Sequence, residues 1–148
     1  MLKEKVITIK DGGQEKRFRI RQMVATQAEE TMFKFCLMLG AETDISTLRG
    51  IKDPYKIMSF ILGAMSKQPY EKIQELLDIL ITSVSRIHDG GIESQLTSEN
   101  ADSYVEEMGT LLRLRGEVIK INNFFPGSGS NDLTESPAQE NIVIKKKS

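Results

Sequence analysis

The feature of this chain that most constrains its fold is the helical spacing of its apolar residues. The clearest example follows Pro69, where apolar residues recur every three or four positions, the interval that places side chains on one face of an α-helix. These residues are Ile73, Leu76, Leu77, Leu80, Val84 and Ile87. Asp89-Gly90-Gly91 supplies residues that end a helix. The pattern therefore predicts an amphipathic helix from Pro69 to about His88.

Four further stretches carry signals for a helix. Thr26 and Glu29 have the spacing of a capping box, in which the hydroxyl and the carboxylate satisfy N–H groups that the first turn leaves unpaired. Asp53-Pro54 joins an N-cap residue to a proline at the first helical position. Thr97 or Ser98, and later Thr110, are further N-cap residues. Together these signals predict helices over residues 26–39, 53–68, 97–107 and 110–122.

The first residues of the chain predict a β-hairpin over residues 5–21. Two runs of strand-forming residues flank Gly12-Gly13, which suits a reversing loop. The second run alternates strictly, so Phe18 and Ile20 share one face. The opposite face carries Arg17, Arg19 and Arg21. A two-stranded hairpin is marginal alone, so we expect its apolar face to pack on helices.

The length of 148 residues gives room for one domain with a sizeable core. From residue 126 onward the composition changes to Pro, Gly, Ser, Asn and acidic residues, with few apolar ones. We therefore expect a single, mainly α domain over residues 1–125, with about five helices and the N-terminal β-hairpin. A flexible tail over residues 126–148 would follow it.

The charges are nearly balanced, with a formal net charge of -1. Residues 1–23 hold seven basic and three acidic groups, whereas residues 24–125 hold ten and fifteen. A protein without a global positive field is a poor nucleic-acid coat, so we expect no nucleic-acid partner. We call Arg17, Arg19 and Arg21 the arginine stripe and interpret it as a solvated sheet face. One alternative is that the stripe contacts phosphates. The other is that it docks electrostatically to an acidic surface, such as a second copy of this chain.

Catalysis and metal binding have few candidate residues. The chain has one His and one Cys, too few for a recognisable zinc site. His88 lies close to Ser85 and Asp89, but a cationic side chain also suits the end of a helix without any chemistry. Cys36 lies in an apolar helical stripe and is interpreted as core. We expect no catalytic residue, no cofactor and no metal, and hence no enzyme.

The sequence also predicts where the protein acts. The longest apolar run, residues 35–39, is far shorter than the roughly 18 residues that cross a bilayer. A charged start and a single cysteine do not suggest secretion. We expect a cytoplasmic protein with no membrane partner.

Both ends of the predicted domain resemble one family. The residues that carry this resemblance are Val6-Ile7-Thr8-Ile9, Asp11-Gly12-Gly13, Phe18-Arg19-Ile20-Arg21, Thr26-Gln27-Ala28-Glu29-Glu30 and the closing stretch from Leu111 to Phe125. They resemble the tail assembly chaperones of siphophages and prophages. Between the two ends, the resemblance is one of helical layout.

The resemblance implies a bacteriophage chaperone that binds and solubilises the tape measure protein in the host bacterial cytoplasm and is absent from the mature virion. It also implies a longer form, made by ribosomal frameshifting, that recruits the tail tube protein. Lys145-Lys146-Lys147 fits a slippery run of codons or, alternatively, a basic tail that aids solubility. Nothing in this chain resembles the extension domain of the longer form.

Partner contacts are expected at apolar positions off the main buried stripes. These candidate contact residues are Phe33, Leu37, Leu112, Ile119 and Phe124. Phe124 has an alternative role, which is to staple the last helix to the body. Two rival functions stay open: a structural tail or head-completion component, and a small nucleic-acid-binding regulator that uses Arg17, Arg19 and Arg21.

Overall fold

A computed structural model describes residues 1–40 and 43–124. In chain order, the elements are β1 (Glu4–Asp11), β2 (Gln14–Arg21), α1 (Ala25–Leu39), α2 (Ile45–Arg49), α3 (Pro54–Ala64), α4 (Tyr70–Ile81), β3 (Val84–Ile87), β4 (Glu93–Gln95), α5 (Ala101–Tyr104) and α6 (Met108–Asn122). About 51% of the described residues are helical and 19% are in strands. The fold is therefore mixed α/β, and the expectation of a mainly α domain with a simple hairpin is wrong.

The predicted hairpin is half of a four-stranded antiparallel sheet with the order β1-β2-β3-β4. Ile7 lies opposite Phe18, and Ile20 lies opposite Val84. The alternation of β2 is as expected, because Phe18 and Ile20 are fully buried while Arg17 and Arg21 are exposed.

The fold class was mispredicted mainly at residues 82–96. The expected helix from Pro69 stops at Ile81, and Val84–Ile87 instead form β3. The spacing of Leu80, Val84 and Ile87 fits a helix, but Val84 also suits a strand because it is β-branched. Pairing with β2 satisfies backbone groups that a lone hairpin would leave open, and this gain overrides the local pattern.

Of the other element boundaries, some agree with the local sequence signals and some do not. Asp53 caps α3 as expected, since its Oδ1 accepts from Tyr55 N at 2.9 Å. The predicted capping box at Thr26 and Glu29 is wrong. Helix α1 starts one residue earlier, at Ala25, and its N-cap residue Val24 makes no side-chain hydrogen bond to the first turn. The short helix α2 was not expected, and α5 is shorter than expected. Residues 125–148, with the expected tail and the lysine run, lie outside the described part.

Helix α6 lies at the centre of the fold and contacts β1, β2, α3 and α4. Leu114 and Val118 on this helix are fully buried. Gly116 is essential to its packing on α3, because a Cβ at this position would lie 2.3 Å from the carbonyl oxygen of Pro54. The two helices thus approach each other backbone to backbone.

The Asp11 carboxylate joins the hairpin to the start of α6. It is fully buried, and it accepts from Glu106 N at 2.8 Å, Glu107 N at 2.9 Å and Thr110 Oγ1 at 2.7 Å. Lys16 Nζ lies 2.6 Å from the same carboxylate. Thr110 was expected to cap α6; instead, α6 begins two residues earlier and has no local side-chain cap. Both backbone donors precede Met108, so Asp11 anchors the segment that leads into α6, together with the Thr110 hydroxyl in its first turn.

A second ion pair, with Glu117 at its centre, links β1 to α6. The Glu117 carboxylate is buried, and Lys5 Nζ on β1 lies 2.5 Å from its Oε1. Arg113 and Lys120 lie at 3.6 Å and 3.8 Å from the same carboxylate. Three cations thus compensate the desolvation of one buried anion.

The first prediction concerns Asp11. Burial acts to raise the pKa of this carboxyl, but hydrogen bonds from Lys16, Glu106 N, Thr110 and Glu107 N outweigh it and lower the pKa from 3.8 to about 2. The ionised form therefore stabilises the fold by about 2 kcal/mol above pH 4, and this contribution is lost as the pH falls towards 2. Asp11→Ala should lower the free energy of unfolding by about 3 kcal/mol at pH 7, because it also leaves Lys16 without its closest anion.

Urea unfolding of both proteins between pH 7 and pH 2 measures this effect. The difference between wild type and Asp11→Ala should shrink below pH 4. Asp102→Ala removes an exposed carboxylate on α5 and should change stability by less than about 0.5 kcal/mol. An Asp11→Ala protein as stable as this control would contradict the proposed role of Asp11.

The second prediction concerns Gly116. Gly116→Ala should destabilise the protein by about 1–3 kcal/mol, because the added methyl meets the Pro54 carbonyl. Gly63→Ala, within α3, is the matched control: a Cβ there meets nothing within 4 Å and should stabilise by about 0.5–1 kcal/mol through helix propensity. Thermal unfolding followed by circular dichroism measures both. Two variants that shift stability in the same direction would refute the close approach.

Candidate protein-binding site

Helix α1 presents an apolar patch to the solvent. Its buried side includes Phe35 and Leu39, whereas Phe33 is 57% exposed and Leu37 is 81% exposed. The two exposed residues are four positions apart, so they lie one turn apart on the same face. We call Phe33 and Leu37 the α1 patch. Both residues are on the predicted list of partner contacts, and both face outward as that list requires.

A groove of about 360 Å³ runs beside this patch, between α1 and α4. Its apolar lining comes from Leu37, Met38 and Leu76, and its polar lining from Lys34, Gln68, Lys72 and Glu75. Leu37 thus belongs to both the α1 patch and the groove, which makes one continuous surface with apolar and charged parts.

Lys34 joins the two walls of the groove. Its Nζ lies 3.2 Å from Glu75 on α4 and 3.2 Å from Glu30 on α1. The hydrogen bond that Lys34 donates to Glu75, followed by the one that it donates to Glu30, raises the pKa of Lys34 above its usual value. The lysine therefore stays charged at neutral pH and places a cation beside the apolar surface.

The other three predicted contact residues are not outward-facing in the same way. Leu112 is half-buried and packs against the core. Ile119 and Phe124 are only 4% and 3% exposed, so the expectation that they face outward is wrong. The reason is that α6 has neighbours on several sides, which cover even the flanks of its apolar stripe. Phe124 packs against Phe35 with 5.8 Å between ring centroids, the geometry of a staple.

The arginine stripe lies on the sheet face opposite α6, where glutamates neutralise two of its members. Arg19 Nε and Arg21 Nη2 lie 2.9 Å and 3.0 Å from the Glu93 carboxylate, and both arginines also pair with Glu4. Burial acts to raise the pKa of Glu93, but the hydrogen bonds from Arg19 and Arg21 hold it below its usual value. Arg17 is exposed and has no ion pair within the described residues. The stripe therefore offers little net charge to phosphates.

Sequence reasoning missed a basic pocket of about 300 Å³. Four cationic side chains line it, and we call it the basic pocket: Lys3, Arg49, Lys52 and Lys120. Asn123 and five apolar side chains complete the lining; the apolar ones are Leu48, Ile51, Ile57, Ile119 and Phe124. No local pattern announces this pocket, because its walls come from the N-terminus, α2, the following loop, α3 and α6.

The candidate catalytic or metal-binding residues His88 and Cys36 lie in different parts of the fold. His88 Nε2 lies 3.0 Å from Ser94 Oγ across the β3–β4 hairpin, and its ring meets the edge of Tyr104. The expected position of His88 at a helix end is therefore wrong. Cys36 is half-buried beside the core. Within residues 1–40 and 43–124, no group of three or more His, Cys, Asp or Glu side chains could hold a metal ion.

None of the helices in the described ranges combines the length and the apolarity needed to cross a bilayer. In comparisons with protein families, curated proteins and solved structures, nothing matched this chain. The α1 patch and the adjoining groove are therefore assigned as a candidate binding site from their exposure and shape, and from the sequence resemblance.

The third prediction separates surface residues from core residues among the candidate contacts. Phe124→Ala should cost about 3–5 kcal/mol of stability, because it empties a buried aromatic site. Leu37→Ala should change stability by less than about 0.5 kcal/mol, because this side chain is largely solvated. Urea unfolding measures both. Equal losses in the two variants would mean that the α1 patch is part of the core.

Proposed function

We propose that this protein is a bacteriophage tail assembly chaperone that binds the tape measure protein and keeps it soluble in the host cytoplasm. The observation that carries the proposal is the α1 patch, where Leu37 stands 81% exposed at the groove between α1 and α4. Two large apolar side chains exposed one turn apart form a surface suited to another apolar surface.

The shape of this surface favours a helical client. An amphipathic helix docks through apolar residues three, four and seven positions apart, which match a patch and groove that run along a helix. Each leucine-sized client side chain that becomes fully buried contributes about 1.5–3 kcal/mol. Lys34, Lys72 and Glu75 beside the apolar lining would bias the orientation of the client through its charges.

Modest affinity at each site suits the proposed task. A long client with repeated apolar stripes would bind many copies of the chaperone. Together, these copies would cover the apolar stripes and prevent aggregation, although each contact is weak. Weak contacts also exchange rapidly, so growing tail tube could displace one chaperone after another. No catalytic step is required.

The two rival functions have less support. A nucleic-acid-binding regulator would need the arginine stripe, in which Glu4 and Glu93 already pair with two of the three arginines. A structural component would remain in the particle, so mass spectrometry of purified virions distinguishes it from a chaperone. Detection of this chain at stoichiometric levels in virions would overturn the proposal.

The fourth prediction tests the α1 patch with the client present. Phe33→Asp/Leu37→Asp should greatly reduce the amount of soluble tape measure protein on co-expression, because two charges would be buried against apolar client residues. Ile92→Asp is the matched control, since Ile92 is 71% exposed on the β3–β4 turn, outside the groove lining. It should rescue the client as well as wild type does.

Circular dichroism of each purified variant should confirm that all are folded, as expected for substitutions at exposed positions. Equal rescue by the Phe33→Asp/Leu37→Asp variant and the control would refute the α1 patch as the binding site. No rescue by wild type would refute the chaperone function itself.

A further inference from the structure

Strand β1 is an edge strand, and its outer side has no neighbouring strand among residues 1–40 and 43–124. Edge strands are commonly protected by a proline, a bulge or a charge that pairing would leave uncompensated. All eight residues of β1 pair with β2 in an unbroken register, and none of them is proline. Lys5 points towards α6, where the Glu117 carboxylate lies 2.5 Å away and compensates its charge. The edge is therefore open to pairing with another strand.

The hairpin geometry identifies the backbone groups that face this open edge. Asp11 and Gln14 flank the two-glycine turn, so they form a hydrogen-bonded pair. Such pairs alternate with non-bonded pairs along an antiparallel ladder, and Gln22 N donates to Lys3 O at 2.9 Å in the same phase. The odd-numbered residues of β1 therefore bond to β2. The N–H and C=O groups of the even-numbered residues point outward: Glu4, Val6, Thr8 and Lys10.

One antiparallel register lets a second copy of β1 meet these groups with matching charges. Placing Glu4 opposite Lys10 of the second copy also places Val6 opposite Thr8, and Ile7 opposite itself on a two-fold axis. Glu4 and Lys10 are both exposed, and Lys10 has no ion pair within the described residues. Moving the axis to Val6 or Thr8 would keep the hydrogen-bond phase but would separate the two charges. Charge complementarity therefore selects the register centred on Ile7.

We propose that two copies of this chain dimerise through β1 and form one continuous antiparallel sheet. The even-numbered residues of the two strands would exchange about eight backbone hydrogen bonds. Val6, which is 45% exposed, would be covered by Thr8 of the second copy, and half-buried Ile7 would meet its own counterpart. A two-fold contact uses the same edge of both copies, and the other edge strand, β4, has only three residues. Assembly therefore stops at the dimer.

The dimer surface is separate from the candidate client site. No residue of β1 belongs to the α1 patch or lines the groove between α1 and α4. Dimerisation is therefore independent of the proposed function. Because each copy contributes a single strand, the interface is small, and we expect a reversible dimer that forms at micromolar protein concentrations.

Sedimentation equilibrium of the full chain measures the proposed dimer. Wild type should pass from monomer to dimer between about 1 μM and about 1 mM. Thr8→Pro removes an outward N–H without removing a bond to β2, so it should weaken dimerisation about tenfold or more. Thr8→Ala is the matched control: it keeps the N–H and should dimerise within about threefold of wild type. Circular dichroism should show that both variants are folded.

Charge reversals on β1 test the register. Glu4→Lys places lysine opposite lysine, and Lys10→Glu places glutamate opposite glutamate, so each variant alone should dimerise about tenfold less tightly. An equimolar mixture of the two variants should form heterodimers, because every facing pair again has opposite charges. Misfolding of either variant would not produce this recovery. Asp102→Lys, an exposed charge reversal on α5, is the matched control and should dimerise within about twofold of wild type.

Disulfide cross-linking locates the two-fold axis. In the chain with Cys36→Ala, Ile7→Cys places two thiols in a directly opposed, non-hydrogen-bonded pair, with Cα atoms about 4.5 Å apart. Val6→Cys and Thr8→Cys are matched controls, because each residue and its own counterpart would be diagonal neighbours about 7–8 Å apart. Rapid cross-linking is expected at residue 7 alone.

A wild type that stays monomeric up to about 1 mM would overturn the proposal. So would a dimer that Thr8→Pro and the charge reversals leave unchanged, because it would use another surface. Faster cross-linking at residue 6 or 8 would overturn the register. Phe33→Asp/Leu37→Asp should dimerise as wild type does, so a failure of client rescue with normal dimerisation would refute the proposed function alone.

Discussion

The fold depends on one buried carboxylate that connects two distant parts of the chain. Asp11 lies at the end of β1, yet its hydrogen-bond donors include backbone groups of residues 106 and 107, immediately before α6. The cation of Lys16 keeps the carboxylate charged although it is removed from water. This interaction thus fixes the end of β1 against the segment that enters the central helix, and the charge of Lys16 compensates the burial of the carboxylate.

Local patterns predicted elements whose neighbours are close in sequence. The hairpin followed from strict alternation around Phe18 and Ile20, and the start of α3 followed from Asp53-Pro54. Residues 84–87 could not be assigned in this way, because their conformation depends on β2, more than sixty positions away. The start of α6 was missed as well, because the helix begins without a side-chain cap and distant Asp11 holds the two residues before it. Long-range pairing decided each of these cases against or beyond the local signal.

The candidate site shows the same division. On α1, the position of a residue relative to the apolar stripe correctly indicated that Phe33 and Leu37 are exposed. On α6, the same rule failed for Ile119, because a helix with neighbours on several sides buries its flanks as well. The basic pocket carried no sequence signal, since four cations from separate segments meet only after folding. Single-helix reasoning is reliable at the periphery of this protein and unreliable at its centre.

The contact between Gly116 and the Pro54 carbonyl has a consequence for how the molecule can vary. At this crossing, Pro54 at the start of α3 lies against Gly116 with no room for a Cβ between them. Ile57 from one of these helices and Ile119 from the other both line the basic pocket. A residue larger than glycine at position 116 would consequently displace two walls of the basic pocket relative to each other, although no residue of the pocket itself is changed.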